Sequence, residues 1–435
     1  EITEYVKKIR RVGDEAQRAM EPLAGCRNLS VCVFGEYSLS NPTQSPTIST
    51  FASQCDIIRS KKRPRKIRVT GSNGTVYAFL LKSNEDIRLD ERVMQLFGLI
   101  NSCMDPQRHS LNCVIYKFPV IPISANVGLL GWVEYSDTMH DVISNYRQAS
   151  GADGSQERSL LASQFDEPYE DLIRKTWIQM PTVRRAEAFE TVFTSPLCES
   201  ADLARSMWQR SPSAEVWLER RTAYTESLAT MSMVGYVLGL GDRHLGNILM
   251  SMSSGRVVHI DFGDSFDVCR VRSTLPETIP FRLTRMLIHA MEVFGVDGVF
   301  LSTCVSIQTM LHQNRDSIMA LLSAFVYDPI VSHQESMRSM MERQRSPQEI
   351  VERIRNKLRG LELAVPESQF RPFDTFVEYA SRPDLRFISN AFNDSAKRDV
   401  NSALGPRDQV QMLIEEATNV ENLASMYHGW APLWQ

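Results

Sequence analysis

The stretch from Gly239 to Gly263, GLGDRHLGNILMSMSSGRVVHIDFG, narrows most sharply what this chain can fold into. It contains two short apolar runs of β-strand character, Ile248 to Met252 and Arg256 to Ile260. The sequence Ser253-Ser254-Gly255 lies between them and is a turn signal typical of hairpins. The stretch therefore predicts a tight β-hairpin flanked by glycine-rich loops.

Two oxygen-bearing side chains fall at the open end of this hairpin. A turn centred on Ser254 pairs Asn247 directly with Asp261. Mg²⁺ takes oxygen ligands, usually one or two from the protein and the remainder from phosphate groups and water. An amide oxygen beside a carboxylate therefore predicts a magnesium site, with Mn²⁺ as a possible substitute ion.

A further acidic residue, Asp242, precedes Asn247 on the glycine-rich loop. The spacing D-x4-N followed by D-F-G is the arrangement with which kinases position a hydroxyl group and hold Mg²⁺ beside ATP. The order from Asp242 to His244 is D-R-H, whereas common protein kinases have H-R-D. We interpret the stretch as an ATP–magnesium site with this loop inverted.

Length and composition set the class of protein. The chain has 435 residues, which exceeds the roughly 250–300 residues that one hydrophobic core supports, so two lobes are expected. Hydrophobic content of 43% and charged content of 23% are ordinary for a globular protein. The net charge of −4 gives no general attraction to nucleic acid, so no nucleic-acid partner is expected.

The eight cysteines contain no C-x2-C pair, which favours a reducing, intracellular compartment. No apolar run approaches the roughly 18 residues of a membrane-spanning helix, and no signal peptide opens the chain. Because the first residue is Glu, we expect a fragment of a longer protein. Residues 1–50 predict a short helix, Ile2 to Met20, followed by a Ser/Thr/Pro-rich linker over residues 38–50.

From Phe51 the signals become those of β-structure. Strands are predicted at Asp56–Ser60, Lys66–Thr70 and Thr75–Lys82. Seven of the ten residues from 59 to 68 are basic, which fits a solvated face, a nuclear-localisation patch or a phosphate-covering loop. No G-x-G-x-x-G fingerprint is present, so phosphate contact would come from backbone N–H groups, Ser60 and Lys62.

Lys82 ends a strand, as the phosphate-pairing lysine of kinases does. The following segment, NEDIRLDERVMQLFGLIN, has the apolar spacing of an amphipathic helix, and Asp90 falls on its core-facing side. A buried carboxylate needs a cationic partner, for which Lys82 is the candidate. Glu85 competes with Asp90 for that lysine, and the sequence leaves the choice open.

The next segments, CVIYKFPVIPIS and GLLGWVEY, predict a strand and an extended link. In a two-lobed kinase this link is the hinge that binds adenine, and an aromatic ring such as Trp132 would stack on the base. Packing of Trp132 in the core is the alternative. Asp137 is predicted to open the first helix of a larger lobe.

Later segments supply helices. Residues 150–200 resemble an insertion, and Ser213 is predicted to cap a long helix that leads into the glycine-rich loop. Residues 333–408 are poorer in apolar residues, which predicts loose order over parts of this region. The chain ends in an amphipathic helix from Val410 to Tyr427, followed by HGWAPLWQ.

Several longer phrases carry a resemblance to a known family. They are GSNG before FLLK, DERVMQLFGLIN, IPFRLTRMLIHAMEV and DSIMALLSAFVYDP. With them the chain resembles the TOR (target of rapamycin) group of phosphatidylinositol-3-kinase-related kinases, from about Phe51 to Pro329. The similarity resumes over roughly the last 30 residues, which resemble a FATC domain.

The resemblance implies an α+β fold of the two-lobed PI3/PI4-kinase type, with a small β-rich N-lobe, a larger helical C-lobe and a C-terminal helical FATC. It implies the following domains: 1–50, N-terminal helix and linker; 51–133, N-lobe and hinge; 134–335, C-lobe; 336–402, regulatory linker; 403–435, FATC. Within the C-lobe it implies a partner-binding insertion at 150–200, a catalytic loop at 239–247 and an activation segment at 261–284.

The resemblance also implies residue roles. Asp242 would orient and deprotonate the substrate hydroxyl, His244 would stabilise developing charge, and Lys82 would pair with ATP phosphates. Either Asp242 or His244 could lie nearest the moving proton. Asn247 and Asp261 would hold magnesium, and the nucleotide would contact Ser60, Lys62, Leu80, Lys82, Glu85, Asp90, Phe118, Gly131, Trp132, Val133, Thr138, Leu249 and Ile260.

The implied activity is that of an ATP-dependent serine/threonine protein kinase in growth and nutrient signalling, located in the cytoplasm and at endomembrane surfaces. Its implied partners are protein substrates, a small WD40-propeller protein on residues 150–200 and larger complex scaffold proteins. A rapamycin-binding bundle is not recognisable in residues 1–30. The tail has Ala431 where the family commonly has Cys, which excludes a disulfide switch there.

Two other functions are alternatives to a protein kinase. A lipid kinase must attract an anionic head group, yet residues 264–279 hold three acidic residues against Arg270 and Arg272, a net of −1. A catalytically dead scaffold would have lost metal or base residues, which are all present here. The aromatic tail could touch a membrane peripherally, although packing on the kinase core is favoured.

Overall fold

The computed structural model divides the chain into two compact units. We call residues 1–99 and 116–135 the sheet unit, and residues 100–115 and 136–435 the helical unit. The structure describes residues 17–19, 23, 25–38, 40–58, 60, 62–105, 107, 109–151, 156–196, 198, 200–271, 276–291, 293–327, 347–361 and 403–433.

The sheet unit is built on seven antiparallel strands in the order β1-β3-β4-β5-β7-β6, with β2 paired to β4. Every second residue of β4 points into the core, as the two-residue period of a half-buried strand requires. The strands are β1 (Gln17–Ala19), β2 (Ile48–Phe51), β3 (Gln54–Ile57), β4 (Arg65–Gly71), β5 (Val76–Ser83), β6 (Val120–Ser124) and β7 (Val127–Gly131).

The helix α1 (Arg88–Cys103) follows β5, close to the predicted amphipathic segment. Its apolar residues Val93, Leu96 and Phe97 are buried. They recur at helical spacing, so the periodicity that predicted this helix is confirmed.

Two predictions for the first 50 residues need correction. Residues 17–19, assigned to a helix, form β1 and pair with residues 54–56; the remainder of that helix lies outside the described residues. Residues 48–50, assigned to a linker, belong to β2 and pair with β4. The Ser/Thr-rich composition gave no signal for this strand. Its two end residues, Ile48 and Phe51, are buried and pack in the core.

The helical unit is organised around the long helix Ala214–Leu238, which is buried on all sides from Ala223 onward. Ser213 caps it by accepting a hydrogen bond from the Val216 N–H, which confirms the predicted cap. Numbered in chain order, the helices are α2 (Met139–Ser150), α3 (Gln156–Ser163), α4 (Tyr169–Asp171), α5 (Trp177–Gln179), α6 (Thr182–Phe193), α7 (Asp202–Gln209), α8 (Ala214–Leu238), α9 (Arg285–His289), α10 (Val299–Gln313), α11 (Arg315–Val326), α12 (Pro347–Arg359), α13 (Pro406–Thr418) and α14 (Val420–Ala424).

A small antiparallel sheet in the helical unit carries the predicted hairpin. Its strands are β8 (Ser136–Thr138), β9 (Ile248–Ser251) and β10 (Val257–His259). Asp137 therefore lies in a strand and does not open α2, which is capped instead by the Thr138 side chain. No described helix is long and apolar enough to cross a membrane.

The register of the hairpin differs from the prediction by one residue. Leu249 pairs with Val258 and Ile248 with His259, so Asn247 lies opposite Ile260. The loop closes through the Ser251 N–H bond to the Arg256 carbonyl at 2.9 Å, which leaves residues 252–255 in the turn. The prediction assumed a loop shorter by one residue. Asp261 consequently follows the position opposite Asn247.

The described residues of the C-terminal region are largely helical. Residues 347–359, placed in a loosely ordered region, form α12 with a buried apolar face. The predicted helix from Val410 to Tyr427 is broken at Asn419, where the side chain of Asn419 caps α14. The remainder of the predicted regulatory linker, residues 336–346 and 362–402, lies outside the described residues.

Candidate active site

Backbone hydrogen bonds join the loop after α8 to the start of the predicted activation segment. Phe266 N–H donates to Leu238 O at 2.9 Å, and Asp267 N–H donates to Gly239 O at 2.9 Å. Gly241 N–H donates to the Asp264 carbonyl at 2.7 Å. This ladder fixes the peptide that leads into Asp242.

The Asp242 peptide is held on both sides. Its N–H donates to Glu277 Oε1 at 2.7 Å, and its carbonyl accepts a hydrogen bond from Asn247 Nδ2 at 3.0 Å. Asp242 has a φ of 55° and Asp261 a φ of 58°, both in the left-handed region that non-glycine residues seldom adopt. Backbone strain of this kind is common at functional sites and persists where the surroundings fix it.

Arg243 lies beneath this loop and is buried. Its guanidinium donates to Gly241 O at 2.7 Å, to Ile260 O at 2.8 Å and to the Asp261 carbonyl. Burial lowers the pKa of Arg243, and the nearby Asp261 and Asp242 carboxylates oppose that shift. Arg243 thus ties the loop to the backbone of the predicted metal ligand Asp261 and of Ile260, the residue before it.

His244 presents one defined ring nitrogen. Its Nδ1 accepts the Gly246 N–H at 3.0 Å, so the neutral ring carries its proton on Nε2. Burial lowers the pKa of His244, with the Asp242 charge acting against it and Arg243 adding to it. A Cβ atom at Gly246 would lie 2.9 Å from His244 Cε1, so only glycine permits this approach.

The donor set fits Mg²⁺. The bond to Asp242 O uses the amide nitrogen of Asn247, which leaves the amide oxygen as a ligand. Ile260 lies opposite Asn247, and Asp261, the next residue, adds a carboxylate. Two protein oxygens suit an ion that keeps water and substrate phosphate as its other ligands.

In the sheet unit, Lys82 is partnered by Glu85. Their Nζ and Oε1 atoms are 3.6 Å apart, and Lys62 Nζ lies 3.1 Å from the other carboxylate oxygen of Glu85. Asp90 is buried in the first turn of α1. The structure thus brings Lys62, Lys82 and Glu85 together, whereas Ser60 is exposed.

The remaining predicted nucleotide residues of the sheet unit follow the strand pattern. Leu80 and Lys82 share the face of β5 opposite the buried Phe79 and Leu81. Trp132 N–H donates to Ala78 O at 2.9 Å. Gly131 pairs with Phe79, and both Phe118 and Val133 are buried.

One face of Trp132 has a neighbour in the sheet unit. Lys66 Nζ lies 4.0 Å from the centre of the indole ring, a cation–π contact. Burial lowers the pKa of Lys66, while Glu134 raises it. Trp132 is half-buried, so its ring is not enclosed in the core.

In the helical unit, Thr138 pairs across β8 and β9 with Leu249. Ile260 donates its N–H to Asn247 O at 3.1 Å, which links it to one of the two predicted metal ligands. Thr138 and Leu249 therefore lie on the small sheet, and Ile260 directly follows its strand β10. A cavity of about 10 Å³, room for about one water molecule, lies nearby and is lined by Arg243, His259 and Arg282 among others.

A buried ion pair anchors the predicted activation segment to α12. Lys357 Nζ lies 2.8 Å from both carboxylate oxygens of Asp267 and 2.8 Å from Tyr236 O. Arg353 Nε lies 3.2 Å from Asp267 Oδ2, and Gln409 of α13 donates to Lys357 O at 2.9 Å. Asp267 and Lys357 are not among the residues predicted from the sequence, because their partnership spans distant segments.

The C-terminal tail packs on the helical unit. Trp430 and Leu433 are 3% and 2% exposed, which confirms the predicted packing of these two residues. Arg282 donates to Trp430 O at 2.7 Å and Ala431 O at 2.9 Å, and its guanidinium lies 4.0 Å from the Trp430 ring centre. Burial lowers the pKa of Arg282 to about 9. Trp434 lies outside the described residues.

The tail also completes the core of the predicted insertion. Trp177 Nε1 donates to Ala424 O at 3.2 Å, and Tyr169 O–H contacts His428 Nδ1 at 2.9 Å. Burial lowers the pKa of His428 to about 3. Elsewhere in the insertion, Glu157 is buried and accepts a hydrogen bond from Arg147 at 2.9 Å.

A β-rich unit with a Lys–Glu pair and a helical unit with a D-x4-N loop before D-F-G define a kinase-like fold of the two-lobed class. The sequence matches the family described as Phosphatidylinositol 3- and 4-kinase over residues 76–335, and the FATC domain over residues 403–434. The chain belongs to the phosphatidylinositol 3- and 4-kinase family, and the predicted α+β fold with a C-terminal FATC is confirmed.

Individual relatives sharpen the comparison. The chain is 38% identical to Serine/threonine-protein kinase mTor of Drosophila melanogaster, over 95% of this chain and 17% of that protein. It is 38% identical to Serine/threonine-protein kinase TOR of Oryza sativa, over 95% of this chain and 18% of that protein. It therefore spans less than a fifth of the length of these relatives.

A solved structure has the same architecture. The FAT and kinase domain of CtTel1 superposes with a TM-score of 0.65 at 26% identity, covering 92% of this chain and 25% of that one.

Proposed function

We propose that this chain is an ATP-dependent serine/threonine protein kinase of the TOR type. The observation that carries the proposal is the Asp242 peptide held by Asn247 beside Asp261, in a chain 38% identical to named serine/threonine-protein kinases. That arrangement places the candidate base Asp242 on a loop bonded to Asn247, with the two metal-ligand candidates at the open end of the hairpin. Growth and nutrient signalling in the cytoplasm is the proposed setting.

In the proposed reaction the substrate oxygen forms a bond to the γ-phosphorus of ATP, and the bond from that phosphorus to the β–γ bridging oxygen breaks. The hydroxyl proton passes to the Asp242 carboxylate. His244 is poorly suited to accept it, because Nδ1 already accepts the Gly246 N–H and Nε2 carries a proton. Its Nε2–H instead donates to the transferring phosphate.

The other residues bind and orient the nucleotide. Lys82, held by Glu85, pairs with ATP phosphates, and Lys62 adds a second cation. Asn247 and Asp261 would hold Mg²⁺, which would neutralise charge on the phosphates. In the sheet unit, Leu80 and Trp132 contact the adenine.

The preference for protein over lipid rests on the activation segment. Residues 264–279 contain only two basic residues, too few to attract a multiply anionic head group. Two of the three acidic residues face inward, because Asp267 is paired with Lys357 and Glu277 with the Asp242 N–H. Their charges therefore have little effect on substrate choice. The preference for a protein substrate rests on the lack of clustered Lys and Arg in this segment.

The decisive experiment offers a protein substrate and phosphoinositide vesicles side by side with labelled ATP. We expect phosphate on Ser or Thr of the protein, and a loss of roughly 100- to 10,000-fold for Asp242→Ala with nucleotide binding retained. Asp297→Ala, which removes an exposed carboxylate of the same unit, is the matched control. Equal rates for Asp242→Ala and the parent would refute the assignment of the base.

The alternatives give distinct results. Label in the lipid alone would identify a phosphoinositide kinase. No label in either substrate, even with bound partners present, would identify a scaffold without activity.

We also propose that residues 150–200 bind a small WD40-propeller protein and that larger scaffold proteins bring substrates to the chain. Exposed apolar residues of the insertion, Ile178 and Val183, support a protein contact there. Val183→Asp should abolish co-purification of the propeller partner while leaving Trp fluorescence unchanged. Retained binding by this variant and by Ile178→Asp would place the partner elsewhere.

A further inference from the structure

The predicted catalytic loop and activation segment are joined by three successive backbone hydrogen bonds, described above, which end at the Gly241 N–H. The next donor along the loop is the N–H of Asp242. Its acceptor is a side chain, because Glu277 Oε1 receives this bond at 2.7 Å. A carboxylate therefore continues the ladder at the catalytic residue itself.

Glu277 is held in place to do this. Its own N–H donates to Cys269 O at 3.0 Å, which closes the activation segment on itself. Burial raises the pKa of Glu277, and the neighbouring Asp242 charge raises it further, against the bond from the Asp242 N–H. Placing the half-buried Glu277 carboxylate beside the Asp242 carboxylate is unfavourable for the stability of the fold, because the two negative charges repel each other.

The backbone of Asp242 explains why such a contact is needed. Its φ of 55° is disfavoured for a residue with a Cβ atom, so the conformation depends on its surroundings. The carbonyl is fixed by Asn247 Nδ2 and the N–H by Glu277 Oε1. Loss of the Glu277 bond would let the peptide of Asp242 rotate. The Asp242 carboxylate would then no longer point in its present direction.

We propose that Glu277 is a positioning residue, which holds the peptide of Asp242 so that its carboxylate meets the substrate hydroxyl. The inference rests on the proposed kinase function, because it assigns a supporting role to the base of that reaction. Glu277 acts through Asp242 and makes no contact with nucleotide in this assignment.

Kinetics of Glu277→Ala and Glu277→Gln test the role. Glu277→Ala should lower kcat about 10- to 100-fold, equivalent to about 1.4–2.7 kcal/mol of barrier, with KM for ATP within about twofold of the parent. Glu277→Gln keeps an acceptor oxygen at the same place and should recover kcat to within about fivefold of the parent. A residue with a merely structural role would not lower kcat while leaving KM unchanged, and its replacement by Gln would not restore kcat selectively.

A matched control separates positioning from general loss of stability. Asp202→Asn alters a buried carboxylate that lies 2.7 Å from Arg147 Nε, outside the predicted insertion, so it should lower the unfolding temperature without changing kcat. The inference is overturned if Glu277→Ala has the kcat of the parent. It is also overturned if Glu277→Gln is as slow as Glu277→Ala, because the acceptor oxygen would then be irrelevant.

A measurement without turnover distinguishes failure of this inference from failure of the proposed function. Hydrogen exchange of the Asp242 amide, followed by NMR with labelled aspartate, should be at least about tenfold faster in Glu277→Ala than in the parent. If the parent and Asp242→Ala phosphorylate at the same rate, the proposed base is wrong, and exchange alone decides whether Glu277 holds this peptide. Unchanged exchange would overturn the positioning role.

Discussion

Replacement of Lys357 by Met should destabilise the helical unit strongly. Lys357 is fully buried and makes two 2.8 Å contacts with the Asp267 carboxylate, which is 3% exposed. Removing one partner of a buried pair typically costs about 3–5 kcal/mol, because an unpaired charge remains. Arg353 still lies 3.2 Å from Asp267, so we expect the lower end, about 3 kcal/mol.

The pH dependence follows from the charge of Asp267. Burial alone would raise the pKa of Asp267, but Lys357 and Arg353 outweigh it and hold the pKa well below the unfolded value of about 3.9. The pair therefore stabilises the parent above about pH 4, and this contribution is lost as the pH falls through the folded pKa. In Lys357→Met the pKa of Asp267 rises, so the difference from the parent should narrow on acidification.

Urea unfolding followed by Trp fluorescence at pH 7 and at about pH 3, inside the window in which the Asp267 contribution is lost, provides the test. The double variant Asp267→Leu/Lys357→Met removes both charges and should regain most of the lost stability. A loss below about 1 kcal/mol at pH 7 would refute the reasoning. So would a double variant that is as unstable as the sum of its two single variants.

Three smaller changes test other parts of the helical unit. Gly235→Ala places a Cβ 3.7 Å from Leu240 in the interior of α8 and should stabilise by about 0.5–1 kcal/mol in urea; destabilisation would show that the cavity beside it is not available. Gly239→Ala should cost more than about 1 kcal/mol, because φ is +60° and its Cβ would lie 2.3 Å from Asp267 N; a neutral result would contradict this close approach. His428 has a pKa of about 3 against about 6.5 unfolded, so stability should fall by up to about 1.4 kcal/mol per pH unit as the pH drops from 6.5 toward 3. His428→Leu should flatten that slope, and an unchanged slope would assign it to other groups.

Local signals predicted much of the fold. The Ser213 cap and the apolar spacing of α1 needed only neighbouring residues, and both agree with the structure. The hairpin was also local, but its register depended on a turn length that composition does not define. The bond from Gly255 N–H to Ser251 O at 2.8 Å belongs to the longer turn. Asn247 and Asp261 were therefore predicted in the right segment and misplaced by one position.

Contacts between distant segments could not be predicted in this way. Glu277 accepts a bond from Asp242 across 35 positions, and Lys357 reaches Asp267 across 90. A glutamate between Pro276 and Thr278 carries no signal of such a role. Lys357 does carry one, because it follows Ile354 by one helical turn on the buried face of α12. The low apolar content of the surrounding region concealed it.

The docking of the tail on the insertion has a consequence for biosynthesis. Trp177 and Phe189 share one hydrophobic core with Ala424 and Leu433. Trp177 and the Ala424 carbonyl that it binds are 247 positions apart. At a synthesis rate of roughly 5–20 residues per second, that core stays incomplete for roughly 12–50 s after Trp177 is added to the growing chain. During that interval the apolar face of the nascent insertion is a substrate for chaperones, and slower translation between these two points would lengthen its exposure.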